Sequence, residues 1–92
     1  MLDAPLPDLF LYGRAGCELC DEARALLKSL LDARTVAGLR SPPLVERDIE
    51  ADPAWQRNFF ATIPVVELAG RRVELATSAA KVSRLLSDVL DA

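Results

Sequence analysis

At 92 residues, with 51% hydrophobic and 27% charged side chains, the chain is sized for a single domain over residues 1–92 and is too apolar for intrinsic disorder. A formal net charge of −3 offers no general attraction to phosphate backbones or acidic lipid surfaces, so no nucleic-acid partner is expected. No apolar run approaches the roughly 18 residues a membrane helix needs, and Met1-Leu2-Asp3-Ala4-Pro5 has neither the basic nor the apolar region of a signal peptide. The expectation is a cytoplasmic monomer without a membrane partner.

In chain order, residues 6–12 read as a short buried strand ended by Gly13 and Gly16. Residues 18–34 repeat at helical spacing, with Leu19, Ala23, Leu26, Leu27, Leu30 and Leu31 on one apolar stripe. Gly38 is a natural stop for that helix, and Ser41-Pro42-Pro43 is a loop. Residues 44–49 form a second strand of weaker pattern. Asp52 followed by Pro53 marks a helix start, a side-chain cap and then proline at the first helical position. The short helix at 53–60 is expected to anchor Trp55, Phe59 and Phe60 on the sheet.

Residues 65–69 and 72–75 flank Gly70-Arg71, a two-residue hairpin turn with glycine first. Arg71-Arg72 is then a solvated tip. Ser78 can cap a last helix whose apolar face is Val82, Leu85, Leu86, Val89 and Leu90, with Asp88 and Asp91 ending its exposed face. The order is β-α-β-α-β-β-α. A right-handed crossover makes the first two strands parallel. The hairpin adds two more, giving a four-stranded mixed sheet flanked by three helices.

The chain has two cysteines, three positions apart, and no histidine. Cys17-Glu18-Leu19-Cys20 falls where the first strand passes into the first helix, with Cys17 at or beside the N-cap and Cys20 facing inward. Residues three apart on a helix are within reach of a disulfide after small adjustment. The helix N-terminus presents unpaired N–H groups and the positive end of a dipole, both of which stabilise a thiolate, the nucleophile of thiol–disulfide exchange. Cys17 is therefore the candidate attacking sulfur and Cys20 the resolving one. Arg14 favours the thiolate, whereas Glu18, Asp21 and Glu22, with Asp48, Glu50 and Asp52 at the same sheet edge, oppose it. Only a modest lowering of the Cys17 pKa is expected.

A lone C-x-x-C also suits half a zinc site or two packed thiols. With no histidine and no third cysteine, one copy cannot build a four-cysteine or two-cysteine, two-histidine site. Metal binding would need a dimer sharing thiolates, or carboxylates in their place; no metal site is assigned. In this strand-loop-helix setting, a dithiol points to a thioredoxin-like α/β fold.

Tyr12-Gly13-Arg14-Ala15-Gly16-Cys17-Glu18-Leu19-Cys20-Asp21-Glu22-Ala23 resembles the opening of the small bacterial glutaredoxin-like proteins of the thioredoxin superfamily. Thr62-Ile63-Pro64-Val65 is similar to that family's threonine, apolar residue, cis-proline and valine, and Asp48-Ile49-Glu50 to the acidic end of its second strand. The likeness runs from about residue 8 to residue 90. By sequence alone a trans Ile63–Pro64 bond is favoured, since only about 5–6% of X–Pro bonds are cis. The resemblance implies instead that Pro64 is cis and packs against the dithiol, and that the Ile63 backbone pairs with substrate.

Glutathione-dependent glutaredoxins hold the tripeptide with a basic residue before the dithiol, the threonine-containing cis-proline segment and a Gly-Gly-Asp-type turn at the last helix. Arg14 matches the first, and Thr62 and Ile63 match the second. In place of the third stands Leu75-Ala76-Thr77-Ser78-Ala79. Thr77 and Ser78 could offer hydroxyls and N–H groups to a carboxylate, or serve only as caps. Cys17-Glu18-Leu19-Cys20 also departs from the Cys-Pro-Tyr-Cys of ordinary glutaredoxins. The expected activity is reduction of a protein disulfide or a glutathione mixed disulfide, with an upstream thiol reductant as partner. No resident cofactor is expected, and glutathione stands open as co-substrate. The alternatives are a non-catalytic binding module using the Ile63–Pro64 edge, and a dimer holding a metal or iron–sulfur cluster through the cysteines.

Overall fold

The computed structural model describes residues 5–91. Residues 1–4, read above as part of a segment lacking a signal peptide, lie outside the described residues, as does residue 92. The elements are β1 (Leu9–Gly13), α1 (Glu18–Val36), β2 (Leu44–Asp48), a single 3-10 turn at Ile49–Ala51, α2 (Pro53–Phe59), β3 (Val65–Leu68), β4 (Arg71–Val73) and α3 (Ala79–Leu90). The strands form one sheet in the order β2-β1-β3-β4. β1 and β2 are parallel, and the β1–β3 and β3–β4 pairs are antiparallel. This is the thioredoxin-like fold, with the expected order of elements. Among the described residues, no helix is long and apolar enough to cross a membrane.

Alternation along β1 divides the interior into two cores. Leu9 and Leu11 face α1 and α3, where they join Val66, Leu68, Ala23, Leu27, Val82 and Leu86. Each fully buried leucine or valine there contributes about 1.5–3 kcal/mol of transfer free energy. Tyr12 faces the opposite side and gathers Ile49, Phe59, Ile63, Val65 and Cys20. Its ring lies 4.4 Å from that of Phe59 and 5.7 Å, edge on, from that of Trp55. The Arg47 guanidinium stacks 3.6 Å over Phe10 and donates to the Tyr12 hydroxyl at 2.8 Å, so a charged β2 residue covers the flank of the aromatic cluster with its planar face.

Helix boundaries follow local chemistry. α1 runs two residues beyond the expected Arg34 and closes in a Schellman turn: Gly38, at φ +75°, donates to Thr35 O, and Leu39 N–H donates to Arg34 O. Asp52 caps α2 by accepting from Ala54 N and Trp55 N, and Ser78 caps α3 by accepting from Lys81 N.

Several expectations need correction. β1 begins at Leu9 rather than at residue 6, because Pro7 has no N–H for the ladder; the first ladder bond beyond the strand is Leu9 N–H to Pro43 O at 2.8 Å. Ile49 leaves β2 for the 3-10 turn, whose start Asp48 caps through Glu50 N. The hairpin turn is Ala69-Gly70, one residue earlier than expected, with φ of +51° and +79°. Both central residues of a type I′ turn need positive φ, and alanine takes the first position. Leu19 is 46% and Phe60 59% exposed, so neither is an anchor: Leu19 lies in the uncovered first turn of α1, and Phe60 is the C-cap of α2. Asp91 does not simply end an exposed face. Its carboxylate pairs with Arg34, which is only 8% exposed and also donates to Arg40 O at 2.6 Å.

Candidate active site

Cys17 is the N-cap of α1, with extended backbone angles (φ −102°, ψ 106°), and its sulfur accepts the Cys20 N–H at 3.1 Å. The residue expected to be the nucleophile therefore closes the helix N-terminus itself, directing its sulfur at an amide that would otherwise be unpaired. Cys17 and Cys20 are joined as a disulfide, with Cα atoms 5.2 Å apart. The two sulfurs are unequally placed. Cys17 is half-buried, whereas Cys20 is 1% exposed and packed among Tyr12, Ile49, Phe59 and Val65. The reachable sulfur is Cys17.

Ile63–Pro64 is a cis peptide bond. Pro64 is buried, and Ile63 and Val65 on either side belong to the same cluster as Cys20, with Cys17 packed against it. The Ile63 N–H donates to Phe59 O at 3.1 Å. No backbone donor among the described residues reaches the Ile63 carbonyl, which leaves that oxygen for pairing. The segment is tied to the loop before α3: Leu75 N–H donates to Thr62 O at 3.0 Å and Ala76 N–H to Pro64 O at 2.8 Å. Thr62 Oγ1 donates to Phe59 O, Thr77 is exposed with its N–H given to Leu75 O, and Ser78 Oγ is the α3 cap.

Arg14 is exposed on the other side of β1. It lines a cavity of about 380 Å³ between the end of β1, α1 and β2, together with Cys20, Arg24, Arg47 and Asp48. None of Thr62, Ile63, Pro64, Thr77 or Ser78 lines that cavity. The structure thus brings Cys17, Cys20 and the Ile63–Pro64 segment together, and links Thr77 and Ser78 to them through the Leu75–Thr62 bond, while Arg14 faces the β2 side. Arg24 bonds Glu46, and Asp21 at 2.8 Å; these carboxylates hold its guanidinium further toward the charged form. Asp48 sits opposite Gly13 in the parallel register, so the acidic end of β2 does reach the dithiol edge. Among the described residues no group of three or more histidine, cysteine, aspartate or glutamate side chains is placed to hold a metal ion.

Leu19, Phe60 and Leu75 are large, apolar and about half exposed, and two of them, Leu19 and Phe60, the sequence places in the core. Leu19 stands between the two cysteines in the chain, Phe60 two residues before Thr62, and the Leu75 N–H donates to Thr62 O. Leu75 has φ +48°, a conformation unfavourable for leucine, fixed by its hydrogen bonds to Thr62 and Thr77. Helical periodicity sent Leu19 and Phe60 inward, and no local signal marks Leu75 as turned out.

The family model described as Glutaredoxin-like domain (DUF836) matches residues 8–90. No curated protein shows significant similarity to the chain. Among solved structures, the X-ray structure of target protein XcR50 from X. campestris is similar to it with a TM-score of 0.70 and 24% sequence identity, over 88% of this chain and 97% of that one. At that identity the likeness bears on the fold.

Proposed function

Since the chain belongs to the Glutaredoxin-like domain family (DUF836), we propose that it is a thiol–disulfide oxidoreductase that reduces protein disulfides or glutathione mixed disulfides through Cys17 and Cys20. The observation that carries the reading is the unequal pair at the start of α1: an accessible Cys17 sulfur at the helix N-terminus, joined to a buried Cys20. In the dithiol form the Cys17 thiolate attacks one sulfur of the substrate disulfide. That S–S bond breaks, its far sulfur leaves as a thiolate and takes a proton, and Cys17 is held in a mixed disulfide. Cys20, deprotonated, then attacks the Cys17 sulfur, releases the second substrate thiol and closes the Cys17–Cys20 disulfide. Two electrons and two protons have passed to the substrate, and an upstream thiol reductant restores them.

The helix N-terminus favours the attacking thiolate. The free Ile63 carbonyl can accept a substrate N–H beside the reacting sulfur, and Thr62 flanks it. Leu19, Phe60 and Leu75 supply the apolar contact that an extended protein segment makes and a small charged tripeptide does not, which favours a protein disulfide as substrate. A glutathione moiety, if used, would draw on Thr62, Thr77 and Ser78 beside the Ile63–Pro64 segment, with Arg14 on the opposite, β2 side of the dithiol reaching it only from across the cysteines. The protein is proposed to act as a monomer in the cytoplasm, where thiol reductants keep such a pair cycling.

The test is equilibration of the protein in defined ratios of reduced to oxidised glutathione, followed by turnover of a protein disulfide by wild type, Cys17→Ser and Cys20→Ser. Cycling with Cys17-dependent turnover is expected. A pair that equilibrates but never reduces substrate would leave the binding-module reading, and stoichiometric metal with visible absorbance in fresh protein would point to the thiolate-bridged dimer.

A further inference from the structure

We propose that Gly13 sets the redox poise of the Cys17–Cys20 pair, by leaving the space the Cys20 sulfur needs in the disulfide form; this deepens the exchange reaction above and rests on it. The chain has four glycines. Gly16, Gly38 and Gly70 have φ of +72°, +75° and +79°, and a methyl group at any of them would meet nothing within 4 Å. Backbone conformation accounts for those three. Gly13 is the reverse case. It ends β1 in ordinary ladder register with Asp48 and has no positive φ, so its backbone would accept any residue. A Cβ at that position, however, falls 3.1 Å from Cys20 Sγ and 3.2 Å from Cys20 Cβ, where non-bonded heavy atoms rest about 3.5–4.0 Å apart.

Cys20 is 1% exposed and shares its cluster with Tyr12, Ile49, Phe59, Ile63 and Val65, while its other side lines the cavity at the end of β1, so what holds its sulfur against position 13 is the bond to Cys17. In the disulfide form the sulfur is tied to Cys17 and cannot rotate about Cα–Cβ. In the dithiol form that tie is gone, and the sulfur can turn to another staggered position. The contact with Cys20 Cβ is common to both forms and drops out of their equilibrium. The contact with Sγ belongs to the disulfide. Glycine at position 13 therefore favours the oxidised pair, which makes the reduced pair the stronger reductant, and any side chain there shifts the balance toward the dithiol. Gly13 is a positioning residue that acts through Cys20.

The experiment compares wild type with Gly13→Ala in buffers of defined reduced-to-oxidised glutathione ratio, reading the fraction of dithiol by thiol alkylation. Two glutathione thiols supply the electrons and protons that convert the disulfide to two thiols, and become one glutathione disulfide. The expected result is a shift of the equilibrium toward the dithiol by about tenfold, equivalent to about 30 mV for this two-electron couple. Thermal unfolding of both redox forms accompanies it, and the oxidised variant should lose clearly more stability than the reduced one. An unchanged equilibrium, a shift toward the disulfide, or equal losses in the two forms would overturn the proposal. So would a variant that cannot fold even when reduced, since the clash would then belong to both states. The two readings fail separately: absent substrate turnover in a wild-type pair that still equilibrates with glutathione removes the proposed activity, whereas turnover with an unshifted Gly13→Ala equilibrium removes the role of Gly13.

Discussion

The sulfur of Cys17 accepts the N–H of Cys20 at 3.1 Å, so one side chain both caps α1 and faces its redox partner. Capping and chemistry can be separated by substitution, because serine is a preferred N-cap whereas alanine is a poor one. Cys17→Ser should abolish disulfide reduction, with at least a hundredfold loss, while staying close in stability to the reduced wild type. Cys17→Ala should lose the same activity and in addition about 1 kcal/mol. Urea unfolding under reducing conditions, alongside turnover, checks both; equal stability of the two variants would contradict the capping role.

Leu19 and Leu75 offer apolar surface beside the dithiol. Leu19→Ser and Leu75→Ser should each raise KM for a protein disulfide about fivefold, corresponding to roughly 1 kcal/mol of lost contact, and leave kcat nearly unchanged. Steady-state kinetics with a folded disulfide-bearing substrate measures this. A loss confined to kcat would place these residues in the chemistry instead of the docking surface.

Arg34 donates to the Asp91 carboxylate with two of its nitrogens, tying the end of α1 to the end of α3. The guanidinium holds the Asp91 carboxyl below its ordinary value of 3.8. A carboxyl lowered in the folded state stabilises the protein above its unfolded pKa, and that contribution disappears as pH falls through the lowered value. Wild type should therefore exceed Asp91→Asn in Tm at neutral pH, and the two should converge as pH falls from about 4 through the lowered Asp91 value. Arg34→Ala, which removes a nearly buried cation together with its bonds to Asp91 and Arg40 O, should cost roughly 2 kcal/mol at neutral pH. A pH-independent gap between wild type and Asp91→Asn would count against the ion pair.

Ala69 holds φ +51° at the first position of the β3–β4 turn, a region that costs an ordinary residue about 1–2 kcal/mol. Asparagine tolerates it better, and Asn-Gly is the preferred pair for this turn. Ala69→Asn should raise stability by about 0.5–1 kcal/mol, read by urea unfolding, with the redox equilibrium unchanged because the turn lies at the far end of the hairpin from the dithiol. A destabilised variant would show that the turn depends on some other contact of Ala69.

Where one local interaction decides, the structure agrees with what the residues imply. Asp52-Pro53 and Ser78 start their helices because a side-chain oxygen meets an unpaired N–H within three residues, and Gly38 ends α1 because glycine accepts positive φ. The C-x-x-C at the strand-to-helix junction fixes both the start of α1 and the place of the sulfurs.

The sequence by itself determined the order of the elements, the parallel β1–β2 pair and the identity of the dithiol, since these follow from periodicity, capping and the handedness of a crossover. Only the tertiary structure decided what the helices leave uncovered. Leu19 and Phe60 fit an inward periodicity, yet 46% and 59% of their surfaces stay exposed, because among the described residues nothing packs over the first turn of α1 or the end of α2 closely enough to bury them. Arg34 sits on the inward face of α1 and is accommodated because Asp91, 57 positions away, neutralises it. Gly13 reads as the end of a strand, and its value comes from the Cys20 sulfur that folding brings against it. Each of these depends on contacts between distant segments, whose distances no local pattern carries.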